Sequence, residues 1–520
     1  MRQLTLLLAL FFSSSIFAQN EYPVISNLSI DFDDNTKMLT ATYNLFDAES
    51  ESMDIHFLVS DDEGISYLIN TANAMGDVGS GILSGMDKSI SWDASGLLTG
   101  NGAYRIKIVA DDLFQLDIQE IVDQVDSNRI LANLEFIEGI RHRTANAAHL
   151  EAVKDTIEQR FVDAGMEASR KNFMFGSYTA QNILGRLEGS NHSDTTYIVD
   201  GHFDTVNDSP GADDNGSAVA GMLEAARVLA PYSFRKTLRF IGFDLEEEGL
   251  LGAFNYTAED IPDAETIKGV FNLEMIGYYT EEPNTQTFPT GFELLYPEIQ
   301  TQLEMDEFRG NFITNIGDQN SVALQTAYDN AAANYVPDLK VISLTAPEAW
   351  TVLTPDFGRS DHAPFWLTGV PALMLTDGSE FRNPFYHSPD DVLETLDFTF
   401  MSNVVKAVVG AVAEEAGIQH SSFVTADFSV LTSVNNTLDC GLSISPIPAD
   451  NDLVLRFEHC AFAKLDVQIF DSLGQLVLTK KVFPSDFAVA KLSLENLESG
   501  LYLLKVSDGE RTLSRKILKR

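Results

Sequence analysis

The chain has 520 residues, 34 of them basic against 77 acidic, for a formal net charge of -43. Such a length exceeds what one hydrophobic core supports and calls for roughly two to four domains, while 44% hydrophobic and 21% charged content is that of folded protein and excludes a disordered polymer. A polyanion of this size repels phosphate backbones, which excludes nucleic acid as a partner.

In chain order, residues 1–18 place Arg2 ahead of an apolar run from Leu4 to Phe12 and close on small residues at Phe17-Ala18. They read as a secretory signal peptide, so the mature protein is expected to be soluble and exported. No later segment approaches the roughly 18 uninterrupted apolar residues of a membrane helix, so no integral membrane segment is expected. Residues 22–114 alternate in period two, as in Thr40-Ala41-Thr42-Tyr43 and Tyr104-Arg105-Ile106-Lys107-Ile108, between turn clusters such as Asp31–Asn35 and Asp61–Gly64. That is a β-sandwich of short strands.

Residues 117–417 switch to alternating helices and strands. Leu150, Val153, Ile157 and Phe161 recur at helical spacing before Gly165, and 217–229 and 398–415 suit further helices. The apolar runs at 196–200, 238–244, 270–274 and 372–375 suit buried strands. The pattern predicts an α/β domain with a mostly parallel central sheet flanked by helices. Residues 418–441, rich in Ser, Thr and Asn, read as a linker, and 442–520 return to strand signals as a C-terminal β-sandwich with a basic end, RTLSRKILKR. The two cysteines, Cys440 and Cys460, lie far from the central motifs and can be neither nucleophile nor metal ligand, although they could pair with each other.

The chemistry lies in five segments: YIVDGHFD (197–204), GADDNGS (211–217), FDLEEEGLLGA (243–253), FNLEMIGY (271–278) and FYHSPDD (385–391). Each is expected to put a ligand residue at a strand end. His202, Asp214, Glu247, Glu274 and His387 together offer two imidazoles and three carboxylates, the donors that a pair of Zn²⁺ ions takes when one carboxylate bridges them. Asp204, two residues after His202 on the same strand face, could accept the second imidazole N–H and fix its tautomer. Glu246 and Glu247 diverge, so one can ligate while its neighbour takes a proton from the activated water and returns it to the leaving amine. Taken singly, HxD, DDNG and EEE are more often a surface histidine, a helix cap and a solvated acidic run.

In combination, these segments resemble the secreted zinc aminopeptidases of the family that also holds glutamate carboxypeptidase and glutaminyl cyclase, over residues 117–417. The resemblance implies two zinc ions per chain, one on Asp214, Glu247 and His387, the other on His202, Asp214 and Glu274. It implies Glu246 as general base, Asp204 as the partner of His202, Tyr386 as the group that polarises the scissile carbonyl, and a cis peptide at Asp214-Asn215. Glu274 stands where Asp is usual. The block Arg359–Pro364 also matches, with Asp361 and His362 expected to support the site without ligating. Residues 22–114 resemble a fibronectin type III-like module. Residues 442–520 resemble the C-terminal sorting domain of type IX secretion, which implies the secretion machinery as a partner, passage through periplasm and outer membrane, and a final place at the cell surface or outside it.

The expected function is an exported two-zinc aminopeptidase acting on peptides. Three alternatives stand beside it: a carboxypeptidase or dipeptidase, with Arg359 or Arg382 receiving the substrate carboxylate; a single-zinc glutaminyl cyclase; and a non-enzymatic surface adhesin.

Overall fold

A computed structural model of the chain describes residues 20–49, 52–98, 102–430, 441–446, 448–458, 465–471, 474–482, 490–507 and 512–520. The signal-peptide segment 1–18 and both cysteines lie outside the described residues. The chain divides into a unit ending at Val430 and a second from Leu431 to Arg520.

An eight-stranded mixed sheet forms the centre of the first unit, in the order 341–345, 313–317, 372–376, 266–274, 192–202, 236–243, 178–187, 167–175. Four neighbouring strands in its middle, 372–376, 266–274, 192–202 and 236–243, run parallel. They are buried on both faces and read as apolar runs, as crossover-connected strands must. Their carboxyl ends, at Thr376, Glu274, His202 and Phe243, share one edge, the edge at which open α/β sheets bind ligands. Helices Ser127–Ile137, Ala147–Asp163, Ala218–Leu229, Val322–Tyr335 and Phe398–Ala416 bury one face, while Tyr256, Phe365 and Trp366 help to fill the other.

Local chemistry sets the helix limits. The Asn146 side chain accepts from the His149 N–H, Asp397 accepts from Phe400, and Gly417 at φ 71° closes the last helix. Gly201 lets helix Ala218–Leu229 approach the strand that ends in His202: a Cβ there would lie 2.8 Å from the Ala218 methyl.

Two four-stranded antiparallel sheets make the N-terminal sandwich, packed around Leu39, Tyr43, Phe57, Trp92 and Ile108. Its edge strand is Ser421–Val430, paired with Gly102–Asp111. Part of the stretch read as a linker is therefore a strand of the sandwich. Val424, Ala426 and Phe428 turn apolar faces to the sandwich core, and the strand's Ser and Thr content hid that alternation. The second unit holds a three-stranded and a four-stranded sheet around Leu453, Leu455, Val467, Ile469 and Leu504. Among the described residues, no helix is long and apolar enough to cross a membrane.

Candidate metal centre and active site

All five expected ligands converge on the carboxyl edge of the sheet. His202 and Glu274 are the last residues of their strands, and Glu246 and Glu247 come after Phe243 in the next turn. Asp214 and His387 do not stand at strand ends, as expected, but in loops. Asp214 lies in the kinked turn leading into helix Ala218–Leu229, preceded by Gly211 at φ 62° and followed by a cis peptide to Asn215. His387 sits in a turn at φ 54°. Loops suit this task because they can aim a side chain that a regular strand would send to one face or the other.

Asp214 sits between the two histidines. Its Oδ1 is 3.5 Å from His202 Nε2 and its Oδ2 is 3.1 Å from His387 Nε2. Glu274 Oε2 lies 3.5 Å from His202 Nε2, and Glu247 Oε2 lies 3.2 Å from His387 Nε2. Two sets result, His202–Asp214–Glu274 and Asp214–Glu247–His387, each with ligand atoms within 4.8 Å of one another. Glu247 Oε1 is buried without a hydrogen-bond partner, an orphaned acceptor that a cation would satisfy. Imidazole and carboxylate donors in three-residue sets fit zinc with room left for substrate.

The surroundings hold these groups by backbone. Asp204 is not chiefly a partner of His202: its carboxylate accepts the N–H of Glu246 at 3.0 Å and of Glu247 at 3.2 Å, so it fixes the turn that carries both glutamates. Its Oδ1 is 3.5 Å from His202 Nδ1, whose nearer contact is the Asp204 carbonyl at 3.2 Å. Asn215 donates to Glu274 at 3.2 Å and accepts from the Met275 N–H, and Ser360 donates to Glu274 at 2.7 Å. His362 bonds the Phe357 carbonyl at 2.7 Å and touches Asn272, at a remove from the ligands. Asp361 is fully buried, and neither of its carboxylate oxygens has a hydrogen-bond partner.

Two supports went unread in the sequence. Asp391, four residues after His387, accepts the N–H groups of Asp213 and Asp214 at 2.9 and 3.1 Å. Arg141, fully buried, donates to the carbonyls of Ile137, Gly139, Phe203, Pro210 and Gly211 and so ties the two loops that come after His202 and before Asp214. Asp391 at least closes the FYHSPDD segment that carries His387; the hydrogen bonds of the Arg141 guanidinium go to backbone carbonyls, which leave no side-chain pattern to read.

Crowded, buried carboxylates resist ionisation. Burial pushes Glu247 up to about 7, with the Asp214 charge adding to it. Burial also drives Glu246 well above the usual carboxylate range; His202 opposes this, and Glu274, Asp361 and Glu247 reinforce it. For His387, burial disfavours the imidazolium, but Asp214 and Glu247 overcome that and raise it to about 10. Tyr386 stacks on His387 with ring centroids 3.9 Å apart, and its hydroxyl accepts from Arg359 Nη2 at 3.1 Å.

A doubly wound sheet with His and carboxylate sets meeting at its carboxyl edge defines a metal-dependent hydrolase. Residues 182–412 match peptidase family M28, and residues 443–520 match the secretion system C-terminal sorting domain. The chain is similar to the Uncharacterized protein YfbL of Escherichia coli, with 30% identity over 51% of this chain and 80% of that protein. It is also similar to Aminopeptidase YwaD of Bacillus subtilis, 31% identical over 48% of this chain and 47% of the relative. A solved zinc aminopeptidase from Bacillus subtilis, BSAP, is 28% identical over 47% of this chain and 52% of its own, with a TM-score of 0.36. The chain belongs to peptidase family M28. Its sorting domain marks it for export to the cell surface or beyond.

Proposed function

We propose that the protein is a two-zinc aminopeptidase that removes N-terminal residues from peptides. The observation that carries this reading is the placement of Asp214, one oxygen toward each histidine, with Glu274 completing one ligand set and Glu247 the other. His202, Asp214 and Glu274 would hold one ion; Asp214, Glu247 and His387 would hold its neighbour. When bound, the metal pair supplies Lewis acidity toward a carbonyl oxygen and lowers the pKa of water.

The chain's own groups do the rest. Glu246 Oε2, 3.8 Å from His202 Nε2, faces the same space without belonging to either set. Its carboxylate takes the proton of the attacking water and delivers it to the leaving amine. Asp204 keeps that carboxylate aimed by holding the Glu246 backbone, and the Tyr386 hydroxyl donates to the developing oxyanion. The buried carboxylates around the ligands give a free α-amine a complementary charge.

A carboxypeptidase needs an uncommitted cation. Arg382 is buried and bonded to Gln286 and to the Phe312 carbonyl, and Arg359 is paired with Glu380. Metal stoichiometry, together with turnover of free and N-acetylated aminoacyl substrates by wild type and Glu246→Gln, tests the reading. The expected result is two equivalents of metal, turnover of free substrates alone, and a loss of about 10²–10⁴-fold in Glu246→Gln at unchanged metal content. Cleavage of blocked substrates, a single equivalent, or full activity in the variant would overturn it.

A further inference from the structure

Beside Glu274 and Tyr386 opens a solvent-connected pocket with a cavity volume of about 70 Å³. Phe288, Ile316, Leu344, Phe357, Met374 and Phe381 make it chiefly apolar. Asp356, Arg359 and Glu380 supply its charges away from Glu274, and Arg359 is the single cation among the described residues that line it. Its guanidinium is 3.5 Å from the Asp356 carboxylate, pairs with Glu380 and donates to the Tyr386 hydroxyl.

A pocket contiguous with a metal ligand and with Tyr386 is where the side chain next to the scissile bond must go. For an aminopeptidase that is the N-terminal side chain, and the role of the pocket rests on that activity. Apolar walls reward a bulky uncharged side chain in proportion to the surface removed from water, and penalise an unpaired ammonium. Two carboxylates in the same pocket would reverse that preference if they were free. We propose that Arg359 is a specificity-determining residue: by neutralising Asp356 and Glu380 it keeps the pocket for bulky apolar N-terminal residues and turns away lysine and arginine. The guanidinium also repels a substrate cation directly, and its planar fork serves the two carboxylates and the tyrosine hydroxyl together.

The test is the ratio of kcat/KM for free leucyl or phenylalanyl anilides to that for lysyl or arginyl anilides, because any effect of Arg359 on Tyr386 scales both terms alike and cancels. Wild type is expected to favour the apolar substrates about ten-fold or more, Arg359→Gln to shrink the ratio by at least about ten-fold, and Arg359→Lys, which keeps the charge, to restore it. Ile316→Trp, which fills the cavity without touching its charges, should lower leucyl and phenylalanyl turnover relative to alanyl. Wild-type preference for lysine or arginine, an unchanged ratio in Arg359→Gln, or an Arg359→Lys variant that behaves like Arg359→Gln overturns the assignment while free-amine turnover persists. Turnover of N-acetylated substrates alone overturns this inference together with the aminopeptidase reading.

Discussion

Asp391 holds the turn that aims Asp214, through two short bonds to backbone N–H groups that have no other place to go. Replacing it by alanine strands two buried donors, at about 1–3 kcal/mol each. Thermal unfolding of Asp391→Ala should show that loss, and competition with a chelator should show weakened metal retention, because Asp214, the proposed shared ligand, loses its aim. Asp391→Asn keeps one acceptor and should fall between. His362 answers to pH instead. Burial depresses it from the ordinary 6.5 to about 4, against the pull of its bond to the Phe357 carbonyl. A folded value below the unfolded one means that the unfolded chain protonates first as pH falls. This contribution is therefore intact above about pH 6.5 and lost between 6.5 and 4, by about 3 kcal/mol in total. Denaturant titrations at pH 7 and pH 4 should show a smaller acid loss in His362→Gln than in wild type, and equal losses would refute the assignment.

Among the elements, the strand Ser421–Val430 is the clearest case of chemistry hidden by composition. It pairs with Gly102–Asp111 along its full length, more than 300 residues earlier in the chain, and turns the partly buried Val424, Ala426 and Phe428 to the sandwich core. An edge strand of that kind is rich in Ser and Thr for solubility, which is also the composition of a linker. Truncation after Gly417 should lower the unfolding temperature of the enzyme body and open the sandwich to protease, while truncation after Val430, at the boundary of the two units, should leave both unchanged. The same contrast explains what the sequence disclosed about the site. Metal ligation demands particular residue types, so the proposed ligands His202, Asp214, Glu247, Glu274 and His387 stood out by identity and spacing, and the buried apolar runs disclosed the four parallel strands beneath them. The pocket walls demand only apolar bulk at the right distance. Strands Ile313–Gly317 and Val341–Thr345 have five residues each, and the helix between them buries a mixed face of Leu324, Gln325, Tyr328, Ala331 and Ala332, so the region from 279 to 350 carried little motif content.

Net charge is a property of the whole molecule that bears on its stability. If each of the 34 basic side chains were paired with a carboxylate, 43 acidic groups would still face one another uncompensated. Self-repulsion of that size destabilises a compact state, and salt relieves it over a distance of about 8 Å at physiological ionic strength. Salt also weakens surface ion pairs such as Lys340–Asp306 and Arg170–Asp155, but each of these contributes at most about 1 kcal/mol. The buried pair Lys154–Asp244, with both side chains fully out of solvent, escapes screening altogether. The repulsive sum should therefore win, and the unfolding temperature of the metal-loaded protein should rise by a few degrees between about 0.01 and 0.5 M sodium chloride, at about 1 °C for each kcal/mol relieved in a unit of this size. Scanning calorimetry across that range decides the matter. A falling transition temperature would mean that ion pairs, and not excess negative charge, dominate the surface, and that the acidity of this exported chain serves a purpose other than hydration in salty surroundings.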